Sequence, residues 1–537
     1  MRRKLYLSLA SLVVASLALS GCGGVKDDTA GKDKQVFNMI DTSEPPQLNS
    51  AKTTDASSNV ILNNTMEGLY RLDKNNQPIP AISKDVKVSD DKKTYTFTLR
   101  DAKWSDGKPV TAKDFEFAWK TALDPKTKAE YSYVLYPIKG AKAYNSKKGK
   151  ADAVGVKAVD DKTLEVKLQD PIPYFLDLTA FTVYKPIRED IYKKYGKAYA
   201  TEPDKMVYNG PFVLSKWQHQ KSYDYKKNES YWDKKSVKLK GIHADIVKDQ
   251  GTANNLYNTG KTDFAQLGDE FVDKYKGKPD VMPFREASTF YLQFNTKDKF
   301  FKNVKIRKAI SMAVDRNILT DKIQKNGSKP AGALVPPVIQ VNGDKSFRSL
   351  TKEYVKYDKA GAKKLLKEGM KEEGIKKIPS IEMLGYDTSG AKKDQEYLKE
   401  QLNTVLGIDV DLRPMPFDQK LDLENAGKFQ ISYAGWGADY NDPMTFLDLW
   451  VTGNPMNRGD WSNEKFDKLI EKSKANPDFK KRTEDLKKAE AVMMEDAAIA
   501  PLMYRTRLYL KRTNVKGFAT HPFGSDFTFK WITMEDK

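Results

Sequence analysis

Ala434-Gly435-Trp436-Gly437-Ala438-Asp439-Tyr440-Asn441-Asp442-Pro443 sets small residues, an indole and a carboxylate side by side ahead of an Asn-Asp-Pro sequence. Glycine and alanine let a foreign backbone approach closely, the tryptophan supplies a wall, and Asp439 offers a negative charge to a cation. The same run also reads as a strand end closed by a turn, because Asn and Asp bond to their own backbone and proline presets a turn dihedral. Spacing alone leaves both readings open.

The chain around this run has 537 residues, 39% hydrophobic and 11% aromatic. At roughly 150 residues per domain this is enough for three to four core-forming units, and too little of it is apolar for a multi-span membrane protein. The formal charge is +19, from 92 Lys and Arg against 73 Asp and Glu. The lysines are scattered among acids, and even Asp233-Lys234-Lys235-Ser236-Val237-Lys238-Leu239-Lys240 is short and isolated. Nucleic acid is therefore not an expected partner.

Tyr95, Phe97 and Leu99 alternate, as do Leu164, Val166 and Leu168, each set following an Asp-Asp turn; both predict strands. Between them Thr111-Ala112-Lys113-Asp114 fits a capping box, with Phe115, Ala118, Trp119 and Ala122 at helical spacing beyond it. Ile306, Ala309, Ile310 and Ala313 predict a helix over 304–314. Further helices are predicted near 360–368, 466–474 and 479–495, the last turning Leu486, Ala489 and Met493 inward. The mixture predicts an α/β body with more than one sheet and no internal repeat. No Pro- or Ser-rich linker interrupts it, so the lobes should be joined by short crossings, expected near 287–290 and 504–506. Two crossings would return the C-terminal tail to the first lobe and make closure a hinge motion.

At the N-terminus, Met1-Arg2-Arg3-Lys4 precedes an apolar run from Leu5 to Leu19, the form of a secretory signal. The run is shorter than the roughly 20 residues of a membrane-spanning helix. Leu19-Ser20-Gly21-Cys22 resembles the bacterial lipobox, which implies a diacylglyceryl group on Cys22, the only cysteine. Two acyl chains anchor stably where one does not. Removal of residues 1–21 takes Arg2, Arg3 and Lys4 with it and leaves a side-chain charge of +16. Residues 22–35 read as a flexible polar tether, with the folded body beginning near Val36.

Reaction chemistry is hard to find. The three histidines, His219, His243 and His521, are far apart in sequence, and there is no HExxH, CxxC, G-x-S-x-G or nucleotide-cradling glycine motif. Asp439 and Asp442 can be offered as a glycosidase pair, but carboxylates so spaced are common in turns. No enzyme activity, cofactor or metal is expected.

With Thr445-Phe446-Leu447 behind it, the run 435–443 resembles the ligand-strand motif of bacterial oligopeptide-binding proteins, family 5 of the extracellular solute-binding proteins that serve ABC peptide importers. Ala102-Lys103-Trp104-Ser105-Asp106-Gly107-Lys108-Pro109-Val110-Thr111-Ala112-Lys113-Asp114-Phe115 resembles the family signature. So do Asn209-Gly210-Pro211-Phe212, the segment 304–316 ending in Ala313-Val314-Asp315-Arg316, and Phe466-Asp467-Lys468-Leu469-Ile470. The matches keep their order from Val36 to the C-terminus.

The resemblance implies a two-lobed α/β fold like that of the periplasmic binding proteins, with an extra subdomain in the first lobe and the ligand enclosed between lobes. Residues 36–66, 190–287 and 506–537 would form the first lobe, 67–189 the extra subdomain and 288–505 the second lobe. It implies a monomeric, non-enzymatic receptor, lipid-anchored through Cys22 on the extracytoplasmic face of the cell membrane. Such a receptor binds oligopeptides in extended form and delivers them to ABC permease subunits. Strand addition suits this task, because it reads the backbone that every peptide shares, while water adapts the side-chain pockets.

By resemblance Asp439 pairs with the peptide α-ammonium. Ala434, Gly435, Trp436, Gly437, Tyr131, Ala56, Tyr291 and Gln293 fall at backbone and pocket positions. Where enterobacterial members place basic side chains toward the peptide carboxylate, this chain has Gln324, Glu424 and Tyr433, with Lys325, Lys392 and Arg505 nearby as candidate replacements. This departure predicts tolerance of peptides longer than about five residues. Fold does not fix cargo: the alternatives are a signalling peptide, a dipeptide, nickel or a sugar, with nickel disfavoured by the few histidines. A secreted hydrolase is the alternative from another class.

Overall fold

The computed structural model describes residues 35–341 and 345–536. The expected signal 1–21, Cys22 and nearly all of the tether lie outside them. Two antiparallel strands, Val281–Phe294 and Ile499–Lys511, are 14 and 13 residues long, against a usual length of roughly 5–6. Their register runs from Val281 opposite Leu510 to Arg285 opposite Thr506, shifts, and resumes at Thr289 opposite Tyr504, with a smaller slip after Phe290 before it ends at Gln293 opposite Ile499. On one side of the shift the sheet continues through Phe264–Gln266, Val36–Asp41, Gly241–Ile246, Ser222–Lys227 and Phe212–Gln218. On the other it continues through Ile431–Gly437, Ile381–Tyr386 and Val410–Met415. These are the sheets of two lobes, with the long strands passing between them. A register shift bends and twists a strand pair.

Glu286 sits in that shift. Its carboxylate is buried and accepts hydrogen bonds from Ser288 Oγ at 2.7 Å, Arg505 Nε at 2.8 Å, and Arg507 Nε. Burial works to raise its pKa, but Arg505 and Arg507 overcome it and hold the group below the usual range.

A separate antiparallel sheet is built from Ser83–Val88, Thr94–Leu99, Thr163–Lys167 and Val156–Ala158. The alternation of Tyr95, Phe97 and Leu99 turns all three inward. The helix Ala112–Leu123 begins at the Thr111/Asp114 capping box and is pinned where Trp119 Nε1 donates to the Tyr184 carbonyl at 2.8 Å. Tyr184 Oη in turn donates to the Val134 carbonyl at 3.0 Å. It thereby fixes the short helix Glu130–Leu135, which carries Tyr131.

One cluster of buried side chains, including Leu292, Ile310, Met383, Leu402 and Ile431, forms the core of the second lobe. A larger cluster joins the first lobe to the four-stranded unit and also takes in Phe446, Trp450, Phe466, Leu486 and Met493. Part of the span 288–505 therefore packs against the first lobe in this conformation. The helices Val304–Ala313, Glu464–Ala475 and Phe479–Glu495 lie where periodicity places them. The helix expected near 360–368 runs on as Lys359–Glu372. Its Gly369 does not end it: a Cβ there would meet Ile306 Cγ1 at 2.7 Å, so glycine permits close helix packing.

Candidate functional site

The strand Ile431–Gly437 pairs with Val281–Phe294 over its whole length. Its other edge pairs with Ile381–Tyr386 only at Ile431 and Ser432. From 433 to 437 that second edge has no strand partner and borders a cavity of about 350 Å³ between the lobes. The size lies within the roughly 300–1,000 Å³ of small-molecule pockets. An open strand edge is a template for another extended chain, and five residues at about 3.3 Å each offer roughly 17 Å of it.

Asp439 stands just past the end of this edge. Its backbone is held from several sides: its N–H donates to Thr445 Oγ1 at 2.9 Å, the preceding Ala438 N–H donates to the Ala287 carbonyl at 2.8 Å, and Gly524 N–H donates to the Ala438 carbonyl at 2.7 Å. The turn reading of the next residues also holds. Asp442 accepts two bonds from Arg482, at 2.8 and 2.7 Å, and caps Met444 N at 2.9 Å. That commitment takes Asp442 away from any pairing with Asp439.

Asp439 is 7% exposed. Tyr131 Oη donates to Oδ1 at 2.9 Å, while Oδ2 has no hydrogen-bond partner among the described residues. Burial without a cation pushes the carboxyl up to about 8, against the Tyr131 bond, which works to lower it. A buried carboxyl with one oxygen unsatisfied and no counter-charge is held ready for a cation.

Ala56, Tyr131, Tyr291, Gln293, Ala434, Gly435, Trp436, Gly437 and Asp439 all line the cavity. Side chains alternate across a strand. Ala434 and Trp436, paired with Tyr291 and Thr289, share one face, while Tyr433 and Gly435, paired with Leu292 and Phe290, share the other. Trp436 meets Tyr131 edge-on at 6.2 Å. Gln293 is buried, and its Nε2 has no partner among the described residues. A Cβ at Gly435 would fall 2.6 to 2.8 Å from the Phe290 ring, whereas one at Gly437 meets nothing within 4 Å. Ala56 is exposed at the rim, where the Asp55 side chain caps its helix by accepting from Ser58 N at 2.8 Å.

Gln324, Glu424 and Tyr433 also line the cavity. Gln324 Nε2 and Tyr433 Oη both donate to Asp394, at 2.7 and 2.6 Å. Glu424 is buried between Lys420 at 2.5 Å and Arg458 at 3.5 Å. Burial works to raise its pKa, but these cations bring it below the usual range. Among the three candidate replacement cations, Arg505 reaches the cavity. Lys325 is turned to Asp273 at 3.2 Å, and Lys392 is exposed outside the lining. Sequence reasoning missed Arg458, Asp394 and Asp269 of the lining. No periodicity or motif marks them, because only the tertiary fold brings them together.

The histidines have ordinary partners: His219 bonds Glu44 and Glu202, His243 bonds Asp224 and Asp245, and His521 bonds Asn76 and Thr528.

Fold and cavity together define a two-lobed α/β binding protein with its ligand enclosed between the lobes. Residues 77–458 match the family model described as Bacterial extracellular solute-binding proteins, family 5 Middle. The chain belongs to this family. The Dipeptide-binding protein DppE of Bacillus subtilis is 38% identical over 96% of each chain. The Oligopeptide-binding protein OppA of the same organism is 37% identical over 96% of this chain and 97% of its own. Among solved structures, Listeria monocytogenes OppA bound to peptide superposes with a TM-score of 0.91 at 39% identity, covering 94% of this chain and 100% of that one. The Escherichia coli murein tripeptide binding protein MppA gives 0.86 at 27% identity over 94% and 99%. An unliganded open form of MppA gives only 0.62, at 28% identity over 94% and 98%. The lobe arrangement here is that of the first two structures.

Proposed function

We propose that this protein is an extracytoplasmic receptor that binds oligopeptides as an added strand on 433–437, with the α-ammonium on Asp439, and delivers them to an ABC permease. The observation that carries the reading is the open edge of 433–437 ending at a buried carboxyl whose Oδ2 is unsatisfied. Because the amino end would lie at the C-terminal end of this strand, the peptide runs antiparallel to it. Backbone pairing supplies affinity without a required sequence, and side chains alternate onto the two faces described above. The relatives named for oligopeptides and dipeptides support the ligand class, and an edge of five residues favours the longer ligands.

In this reading 36–66, 190–287 and 506–537 form one lobe with 67–189 appended, and 288–505 form the other. The register shift around 286–288 is the hinge, and the gap between the two MppA comparisons supports motion there. A lipid on Cys22 would keep the receptor, acting as a monomer, beside its permease. The test is to purify a soluble form starting after Cys22, denature it mildly and analyse the released small molecules by mass spectrometry. Mixed peptides are expected; their absence, or turnover of added peptides on long incubation, would contradict the proposal.

A further inference from the structure

We infer that Asp269 and Asp394, one from each lobe, form a pocket for a cationic side chain near the fifth residue of the bound peptide, so that lysine- and arginine-bearing peptides are the preferred substrates. The inference rests on the peptide-binding reading above and adds a substrate class to it.

Asp269 follows the first-lobe strand Phe264–Gln266, and Asp394 lies on the second-lobe helix Ser389–Leu406. Both line the ligand cavity, at 6% and 2% exposure. Contacts between the lobes bracket the pair: Lys325 Nζ meets Asp273 at 3.2 Å, Lys248 Nζ meets Asp387 at 2.7 Å, and Gln250 N–H donates to Ser389 Oγ at 3.3 Å. Closure therefore assembles two carboxyls into one buried place.

Neither has a cation in contact among the described residues, whereas the cations of the lining do have carboxylate partners. Lys248 holds Asp387, Arg458 holds Glu424, Arg505 holds Glu286, and Arg507 holds Glu286 and Asp526. Lys393, which is exposed and solvent-screened, acts on both acids, and Arg505, whose own partner is Glu286, acts more strongly on Asp394 without touching it. Burial, then the field of Asp394, pushes Asp269 up to about 7. Burial pushes Asp394 up to about 6, against the bonds from Tyr433 and Gln324 and the field of Arg505. Two like charges confined together favour whatever cation separates them. That the same cavity faces a ligand is marked independently by Asp439 Oδ2 and by the buried Gln293 Nε2, both unpartnered.

Position follows from the strand. Asp394 bonds the side chain of Tyr433, six residues before Asp439. At about 3.3 Å per residue the two acidic places are roughly 20 Å apart along the strand, which puts the pocket opposite peptide positions of about four to six.

The test is calorimetry at pH 7.5 with hexapeptide amides of alanine carrying lysine, norleucine or glutamate at one position in turn. Lysine should bind roughly tenfold or more tightly than norleucine at one position between four and six, with glutamate weaker than both. In Asp269→Asn and in Asp394→Asn, read separately in case either fails to fold, the ratio of lysine to norleucine affinity should fall below about threefold. Equal affinities for lysine and norleucine at every position, with the alanine peptide still binding, would overturn the pocket and leave the receptor reading intact. Failure of every peptide to bind would remove both.

Discussion

At the scale of single residues the decisive group is Asp439. Its carboxyl is pushed up to about 8 by burial, while a peptide α-amino group titrates near 7.7–8.0. The proposed ion pair holds one proton between the two groups. Binding below pH 8 therefore releases a proton, binding well above it takes one up, and affinity should peak near pH 8. Calorimetry in buffers of different ionisation heat counts these protons, and a flat pH profile would count against the pairing. In the empty protein the native state binds more protons than the unfolded chain between the unfolded carboxylate range and pH 8, so this group lowers stability as pH rises through that window. Asp439→Asn should accordingly raise the melting temperature of the empty protein at pH 8 while weakening peptide binding. Tyr131→Phe removes the one hydrogen bond that lowers the Asp439 pKa. It should move the affinity optimum to higher pH and weaken binding at pH 7 by about tenfold. Asp439 could be singled out from sequence because small residues, an indole and an acid share a short run. Its role came only from resemblance, since burial and the unsatisfied oxygen leave no trace in spacing.

At the scale of elements, the strand Ile431–Gly437 separates two kinds of glycine. Gly435→Ala must displace the Phe290 ring, which also carries the Arg505 guanidinium at 4.2 Å. Overpacking of this kind should destabilise by about 1–3 kcal/mol. A Cβ at Gly437 meets open space, so chemical denaturation should move by no more than about 0.5 kcal/mol for Gly437→Val. Its bulk instead obstructs an incoming backbone, and the loss of one or two hydrogen bonds should weaken binding roughly tenfold. If both substitutions altered stability alone, the edge would not be a binding surface. The half-buried strand Thr94–Leu99 and the capped helix Ala112–Leu123 were legible, because alternation and a capping box are local signals. The long strands were not. Val281–Phe294 is buried continuously from Glu286 to Phe294, and a strand covered on both faces shows no alternation. Only its crossing near 287–290 was anticipated.

At the scale of the whole molecule, the proposed ligand and hinge act on one equilibrium. Peptide is expected to favour the closed arrangement because its contacts draw on both lobes, whereas the contacts at the rim are weak. Lys248 and Asp387 meet at 2.7 Å but are partly exposed, a geometry worth about 0–1 kcal/mol. Lys248→Ala should therefore weaken peptide binding by no more than about fivefold. Small-angle scattering should show the radius of gyration falling when peptide is added, and no change would contradict a hinge at 286–288. The far end of the cavity was the least legible part, since Asp269 and Asp394 are distant in sequence and only the tertiary fold brings both to the same cavity. The most direct test of the central claim is a double cycle by calorimetry, with a hexapeptide amide and its Nα-acetylated form each titrated into wild-type protein and Asp439→Asn. Acetylation should weaken wild-type binding by more than about tenfold and add little further loss in the variant. Equal affinity of wild-type protein for the two peptides would contradict the pairing of Asp439 with the peptide amino end.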